Sequence, residues 1–464
     1  MTIPAFATVA DLSDRLDRRD FTPSDLLEET LARIDRVEPV LNMFACLDIE
    51  GARRAAAEAD ARQRQGARLS VLDGIPTSIK DLIAQAGLPL RFGSRATPDS
   101  PAPDDAPAVQ RLRAAGAVLL GKSTTSEFGC KAVGDSPLTG ITRNPWNPDM
   151  SPGGSSCGAA AMVAAGVVPY AIGTDGGGSI RIPAALCGLF GIKAQFGRVP
   201  VFPVSATPTL AHVGPLTRTV EDAAIVLGAI AGYDRRDPFS VAGPVPDFRG
   251  ALQAGRKLRI GWSPDFGYAA VEPEVAALTA RAIDRLAGLG HEIVELPALM
   301  ADPGPLWNAE FYAGVGTKLR GVIDSAPDLL DPAVLEVLRL AISQRMEDYY
   351  ATVFQRYTFR EDMRQLFDRV DLLASPTLPV SHVAAGQNVP PSQAGRSIVS
   401  WVSFTYPFNL TGQPAASLPV GFTGTGLPVG LQIAGGMHDE ATVLALCNAY
   451  ETAHGEMDRR PAVC

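Results

Sequence analysis

Residues 150–193 read MSPGGSSCGAAAMVAAGVVPYAIGTDGGGSIRIPAALCGLFGIK. Pro152, Gly153 and Gly154 suit a loop better than a helix or strand, and the alanine-rich run after Cys157 opens a helix out of that loop. The apolar segment Val167 to Ile172 then reads as a short buried strand. A second glycine loop, GTDGGGS, ends on Ser179. Upstream, a helix from Pro107 to Ala115 starts on a first-turn proline and feeds a strand from Ala117 to Leu120. Downstream, Thr219 and Asp222 stand at capping-box spacing at the head of a helix from Val220 to Ala231. Residues 258–296 repeat the alternation: the strand LRIGW, a helix from Glu272 to Leu289 closed by Gly290, and the strand HEIVEL. Helical segments fill 305–368, VDLLASPT reads as a strand entering a turn, and ASLPVGF with LPVGLQIAG reads as a terminal hairpin. Strands alternating with helices along the chain predict an α/β architecture.

At the other end, Thr22, Pro23 and Asp25 form an N-cap, a first-turn proline and an N3 acid, with Leu27, Leu31 and Ile34 following at helical spacing. An Ala/Arg-rich helix at 51–65 follows, so the N-terminal segment reads as helices. A chain of 464 residues has room for about three average domains, but no linker or repeat divides it. One large domain is expected.

Composition narrows the function. Hydrophobic residues make up 46% and charged residues 20%, with 45 Gly and 38 Pro, which describes a loop-rich globular protein with ample core. A net charge of −9 without a basic stripe argues against nucleic acid or an anionic membrane as partner. The N-terminus lacks the basic start and apolar core of a signal peptide, and no apolar run is long enough to span a bilayer, so a cytoplasmic location is expected. The six cysteines stand singly with no CxxC pair. Neither a disulfide framework nor zinc or another cofactor is expected.

Two motifs match on paper. GAVLLGKS, Gly116 to Ser123, satisfies the P-loop pattern, but a helix precedes its first glycine and Ala117, Val118, Leu119 and Leu120 form a buried strand, leaving Lys122 in the loop that follows. GSSCG, Gly154 to Gly158, fits the nucleophile elbow of an α/β-hydrolase-type esterase with Ser156 as nucleophile, yet the proline-rich NPWNPDMSPGG before it cannot supply the strand an elbow needs. His382 and His438 are the available bases for that reading, and neither sits in a telling context.

A larger arrangement uses the same glycines. GIPTSIKDLI carries Lys80, MSPGGSSCGAAAMVAAG carries Ser155 and GTDGGGSIRIPAALCGLFGIK carries Ser179, at spacings of 75 and 24 residues. Together with the N-terminal helix, GKSTTSEFG and FNLTGQPAASLPVGF, these segments resemble the amidase signature family of Ser-Ser-Lys hydrolases over nearly the whole chain. Taken alone, Lys80 would read as a surface ion-pair partner of Asp81; its spacing to the two serines reassigns it.

The resemblance implies a single domain with a central mixed β-sheet covered by helices on both faces. It divides into an N-terminal helical segment (about 1–65), a catalytic core (about 66–235) and a substrate-pocket and C-terminal sheet part (about 236–464). It implies Ser179 as nucleophile, and Ser155, joined to Gly154 by a cis peptide bond, as a relay to Lys80. A serine needs a partner to remove its proton, and a lysine serves as base only when burial brings its pKa down from about 10.4. Gly176, Gly177, Gly178 and Ser179 would present backbone N–H groups to an oxyanion. Ser156, Asp175 and Arg181 would brace the loops, and Cys157 departs from the small residue usual at its position.

Substrate choice is less marked. The glutaminase-type members of the family, which belong to a transamidation complex, carry an acid just before the segment equivalent to TYPFN, and Val402 aligns with it. A glutamine-specific role is therefore disfavoured, and an amide with an apolar or aryl limb is expected; carbamates and esters pass through the same tetrahedral oxyanion. Trp401, Phe404, Trp307, Phe311 and Tyr312 are candidates for an apolar pocket. The expected partner is a small amide or carbamate, and the protein a monomer or homodimer.

Overall fold

The computed structural model describes residues 3–455 and 459–464. Met1 and Thr2 of the N-terminal segment, and residues 456–458 of the C-terminal part, lie outside the described residues. Eleven strands form one sheet: β1 (Phe44–Leu47), β2 (Pro76–Lys80), β3 (Val118–Ser123), β4 (Tyr170–Asp175), β5 (Phe190–Lys193), β6 (His212–Thr217), β7 (Arg259–Trp262), β8 (Glu292–Glu295), β9 (Leu372–Pro376), β10 (Ala415–Phe422) and β11 (Pro428–Gly435). Their order is β1-β3-β2-β4-β6-β5-β10-β11-β9-β7-β8. The pairs β3/β2, β2/β4, β9/β7 and β7/β8 are parallel and the others antiparallel, so the sheet is mixed.

Alternate residues of the central strands enter different cores. Ile79, Leu119 and Ile172 join one cluster with Val109, Leu112 and Val226, whereas Val118, Leu120 and Ala171 join another with Leu27, Ile34 and Ala160. The period-two pattern of a strand thus requires helices on both faces. The helix Pro23–Leu41 starts on the predicted cap, with Thr22 and Asp25 in a full capping box. Each residue of the helix Cys157–Ala164 is buried, and a side chain on Gly158 would lie 2.2 Å from Met43 O. That crowding explains the run of alanines.

Two readings change. The N-terminal segment is not helical throughout, because β1 pairs with β3 at the sheet edge. Lys122 lies within β3 rather than in a loop: the strand runs on through Gly121, where φ is +125° and a side chain would lie 2.3 Å from Cys46 O. Buried there, Lys122 lies 3.4 Å from Asp81 and donates to Ile83 O at 2.6 Å. The lysine of the paper P-loop is thus tied into the sheet.

Candidate active site

The carboxyl ends of β2 and β4 lie side by side, and the first glycine loop passes over them into the helix Cys157–Ala164. Lys80, the last residue of β2, is fully buried. Its Nζ lies 2.8 Å from Ser155 Oγ, 2.9 Å from Ser156 Oγ and 2.9 Å from Thr174 Oγ1. No carboxylate balances it at contact distance among the described residues, and burial pulls Lys80 down to about 7, against small upward pulls from Cys157 and Asp175. Asp81, the residue next along, pairs with Lys122 instead.

The Gly154–Ser155 peptide is cis. A side chain on Gly154 would lie 2.4 Å from Val133 O, and one on Gly129 would lie 3.1 Å from Ser155 Oγ, so both glycines permit close approach around the serine. Ser155 and Ser179 face the same cavity. The Ser179 hydroxyl, half-buried, has no protein partner among the described residues.

The second glycine loop is held from all sides. Asp175 accepts from Gly178 N at 2.7 Å and Ile180 N at 3.2 Å, and takes two bonds from Arg181 at 2.9 and 3.0 Å. Burial alone would raise this carboxyl, but Arg181, Lys193 and Asn409 hold it well below the usual carboxylate range. Arg181 is equally buried and also donates to Thr405 O, Gln432 Oε1 and Asn409 Oδ1. Because Asp175 takes the Gly178 N–H, the free backbone donors of the loop are those of Gly176, Gly177 and Ser179. Gly178 therefore does not present its N–H to a substrate, contrary to the expectation from the glycine run.

Aromatic residues from the C-terminal part close over these glycines. Trp307 Nε1 donates to Gly176 O at 2.8 Å, and its ring would lie 2.4 Å from a side chain on Gly177. Phe311 covers Gly176 in the same way, and Thr405 Oγ1 donates to Gly177 O at 2.6 Å. Phe311 lines the main cavity. Tyr312 is buried behind it, donating to Cys130 O at 3.0 Å. Trp401 is buried and donates to Asn388 O, and Phe404 packs on Phe266, so neither lines the cavity. Val402 and Trp307 line a much smaller compartment of about 20 Å³ that Ser179 and Phe311 also line.

Ser156 begins its helix and donates to Thr174 O at 3.2 Å, below the cavity rather than in it. His382 bonds Ser381, and His438 is held by Gln195 and Arg198, so neither acts on Ser156. The Cys157 thiol is buried against Thr124 Oγ1 at 3.6 Å and pushed up by burial, which leaves it inert. Thr174, Thr405 and His212 carry no signal in the sequence. His212 touches Asp175 O at 3.1 Å and Leu210 O at 2.8 Å through Nδ1, and Lys193 Nζ at 3.3 Å through Nε2.

The main cavity has a volume of about 340 Å³, and its wall is largely apolar, with Leu82, Leu90, Phe92, Phe128, Phe202 and Val315 contributing; Ser205, Thr207 and Lys318 are polar residues in it away from the two serines. Among the described residues no group of three or more His, Cys, Asp or Glu is placed to hold a metal ion, and no helix is long and apolar enough to cross a membrane.

The family model described as Amidase matches residues 25–444. The chain belongs to the amidase signature family. A glutamyl-tRNA(Gln) amidotransferase subunit of Chloroflexus aggregans is 38% identical, with 99% of each chain covered. An acylamidase of Rhodococcus erythropolis is 35% identical, over 98% of this chain and 97% of the relative. Among solved structures, a bacterial aryl acylamidase of the amidase signature family superposes with a TM-score of 0.91 at 29% identity, over 97% of this chain and 96% of that one. As an amidase signature enzyme the protein acts on carbon–nitrogen bonds.

Proposed function

We propose that the enzyme hydrolyses amides bearing an apolar or aryl limb, with carbamates and esters as further substrates, through an acyl-enzyme on Ser179. The observation that carries this reading is the apolar cavity ending on Ser155, Ser179 and Gly176. Its one carboxylate, Asp175, is fully engaged by Arg181 and Asn409. A substrate ammonium group would find no counter-charge there, whereas an aryl or alkyl group would gain about 25 cal/mol per Å² removed from water.

In this mechanism Ser179 Oγ attacks the carbonyl carbon while its proton passes to Ser155 and the Ser155 proton to neutral Lys80. The carbonyl π pair moves onto oxygen, which the N–H groups of Gly176, Gly177 and Ser179 receive. When that pair returns, the carbon–nitrogen bond breaks and the leaving nitrogen takes a proton from Ser155, which Lys80 replaces. Water then attacks the Ser179 ester by the same path, giving acid and free serine.

Similarity to the amidotransferase relatives favours a second reading, a glutaminase component of a transamidation complex. Val402, buried and apolar at the position of the glutaminase acid, argues against it. Steady-state assays on aryl amides, carbamates and glutamine, with fluorophosphonate labelling and peptide mapping, test the choice. Turnover of anilides with label on Ser179 is expected. Turnover of glutamine alone would select the second reading, and label on Ser156 would overturn the mechanism.

A further inference from the structure

The helix Gly304–Lys318 lays one face along the main cavity. Phe311, Val315 and Lys318 follow at helical spacing and all line it. Phe311 sits on Gly176, beside the reacting centre, and Val315 is buried a turn further on. Lys318 comes seven positions after Phe311, a rise of about 10 Å along the helix, where the cavity opens to solvent. Its ammonium has a single partner, Val204 O at 2.9 Å, and no carboxylate within ion-pair distance among the described residues. A lysine at an apolar mouth, with two of its three N–H groups unused, is a receptor for an anion.

Resting on the reading that this cavity holds the substrate, we propose that Lys318 selects amides whose apolar limb ends in a carboxylate, about eight carbons from the scissile carbonyl or nitrogen. The apolar wall takes the chain, and the ammonium at the rim meets the terminal anion. Partial burial among apolar groups already holds Lys318 below the ordinary lysine value, with no neighbouring negative charge to offset it. An incoming carboxylate would supply that charge. The same site would discriminate against substrates ending in an amine.

The test separates binding from turnover by using Ser179→Ala protein and calorimetry. Two ligand pairs are compared: nonanedioic acid monoanilide with its methyl ester, and N-acetyl-8-aminooctanoate with its methyl ester. The first pair places the anion on the acyl limb and the second on the amine limb. In one pair the carboxylate is expected to bind about fivefold more tightly than its ester, an advantage that shrinks as salt is raised. Adding Lys318→Gln removes the advantage, Lys318→Glu reverses it and Lys318→Arg retains it. Equal binding of acid and ester in both pairs, or an advantage that persists in Lys318→Gln, would overturn the proposal; the latter would leave Lys318 as a clamp on Val204. Turnover of the methyl-ester anilide by protein with Ser179 intact reports separately on the hydrolase reading.

Discussion

Lys80 and Lys193 end two strands of the same sheet, β2 and β5, with β4 and β6 between them; both are fully buried, and burial pulls both below the ordinary lysine range. Their surroundings differ in kind. Lys80 meets three hydroxyls, two of which belong to residues that line the cavity, Ser155 and Thr174. Lys193 donates to two carbonyls, Ala194 O at 3.2 Å and Gln413 O at 2.5 Å, and meets the Nε2 of a histidine whose other nitrogen is fixed on backbone oxygens. A hydroxyl both accepts and donates a proton, whereas an amide carbonyl only accepts a hydrogen bond. Burial therefore tunes either lysine, but only the first can move a proton to the cavity. In the sequence only the spacing of Lys80 to the two serines separates it from Lys193; the partners that decide the chemistry are not visible there.

The sharpest break of this comparison removes the groups on the Lys80 side. Ser179→Ala should abolish hydrolysis of amides and esters alike, a loss of up to about 10⁶-fold in kcat, measured against p-nitroanilides and p-nitrophenyl esters. Lys80→Ala and Ser155→Ala should each lose about 10³-fold or more on amides and less on activated esters, whose leaving group needs no proton. The double variant should be little worse than either. Multiplying losses in folded protein would show that Lys80 and Ser155 do not share one path.

A smaller effect comes from pH. Lys80 must be neutral to accept a proton, and the neutral fraction grows as pH rises through about 7. kcat/KM should therefore climb about tenfold per unit below that value and level off above it. A profile flat from pH 5 to 9 would remove Lys80 as the base.

The smallest catalytic effect belongs to Lys193. Lys193→Met strands two buried carbonyls and the His212 nitrogen, which should cost roughly 2–4 kcal/mol of stability and lower Tm in a thermal melt. Activity per folded molecule should stay within about tenfold of the parent, with the pH midpoint unmoved. A shifted midpoint would mean that Lys193 takes part in the proton path after all.

Legibility in the sequence follows the range of the interactions. The two glycine loops and the helix between them lie within residues 150–193, so their pattern is readable in one stretch, although the glycines make room for distant residues: Gly158 for Met43, Gly176 for Phe311 and Gly177 for Trp307. Lys80 is found through spacing alone, since its partners come from β4 and the first loop. Lys122 is misplaced by the sequence because Gly121 looks like the start of a loop, whereas only the close approach of β1 explains it. The aromatic candidates divide for the same reason: Trp307 and Phe311 reach the glycines from over 120 positions away, while Trp401, in the same apolar cluster, and Phe404, in another, do not line the cavity. Hydrophobicity tells that a residue is inside, not what it is inside against.

The clasp on the second glycine loop has a consequence for how the enzyme is made. Lys80, Ser155 and Ser179 have all left the ribosome before the last third of the chain has been added, but the indole that holds Gly176 O and the hydroxyl that holds Gly177 O belong to Trp307 and Thr405. Arg181, two positions after Ser179, likewise waits for Asn409 and Gln432. Chains emerge N-terminus first, at roughly 5–20 residues per second, so a nascent chain carries its proposed reactive groups for many seconds before the loop proposed to cradle the oxyanion is locked. On the proposed mechanism, competence waits until the segments carrying Trp307, Thr405, Asn409 and Gln432 have been made.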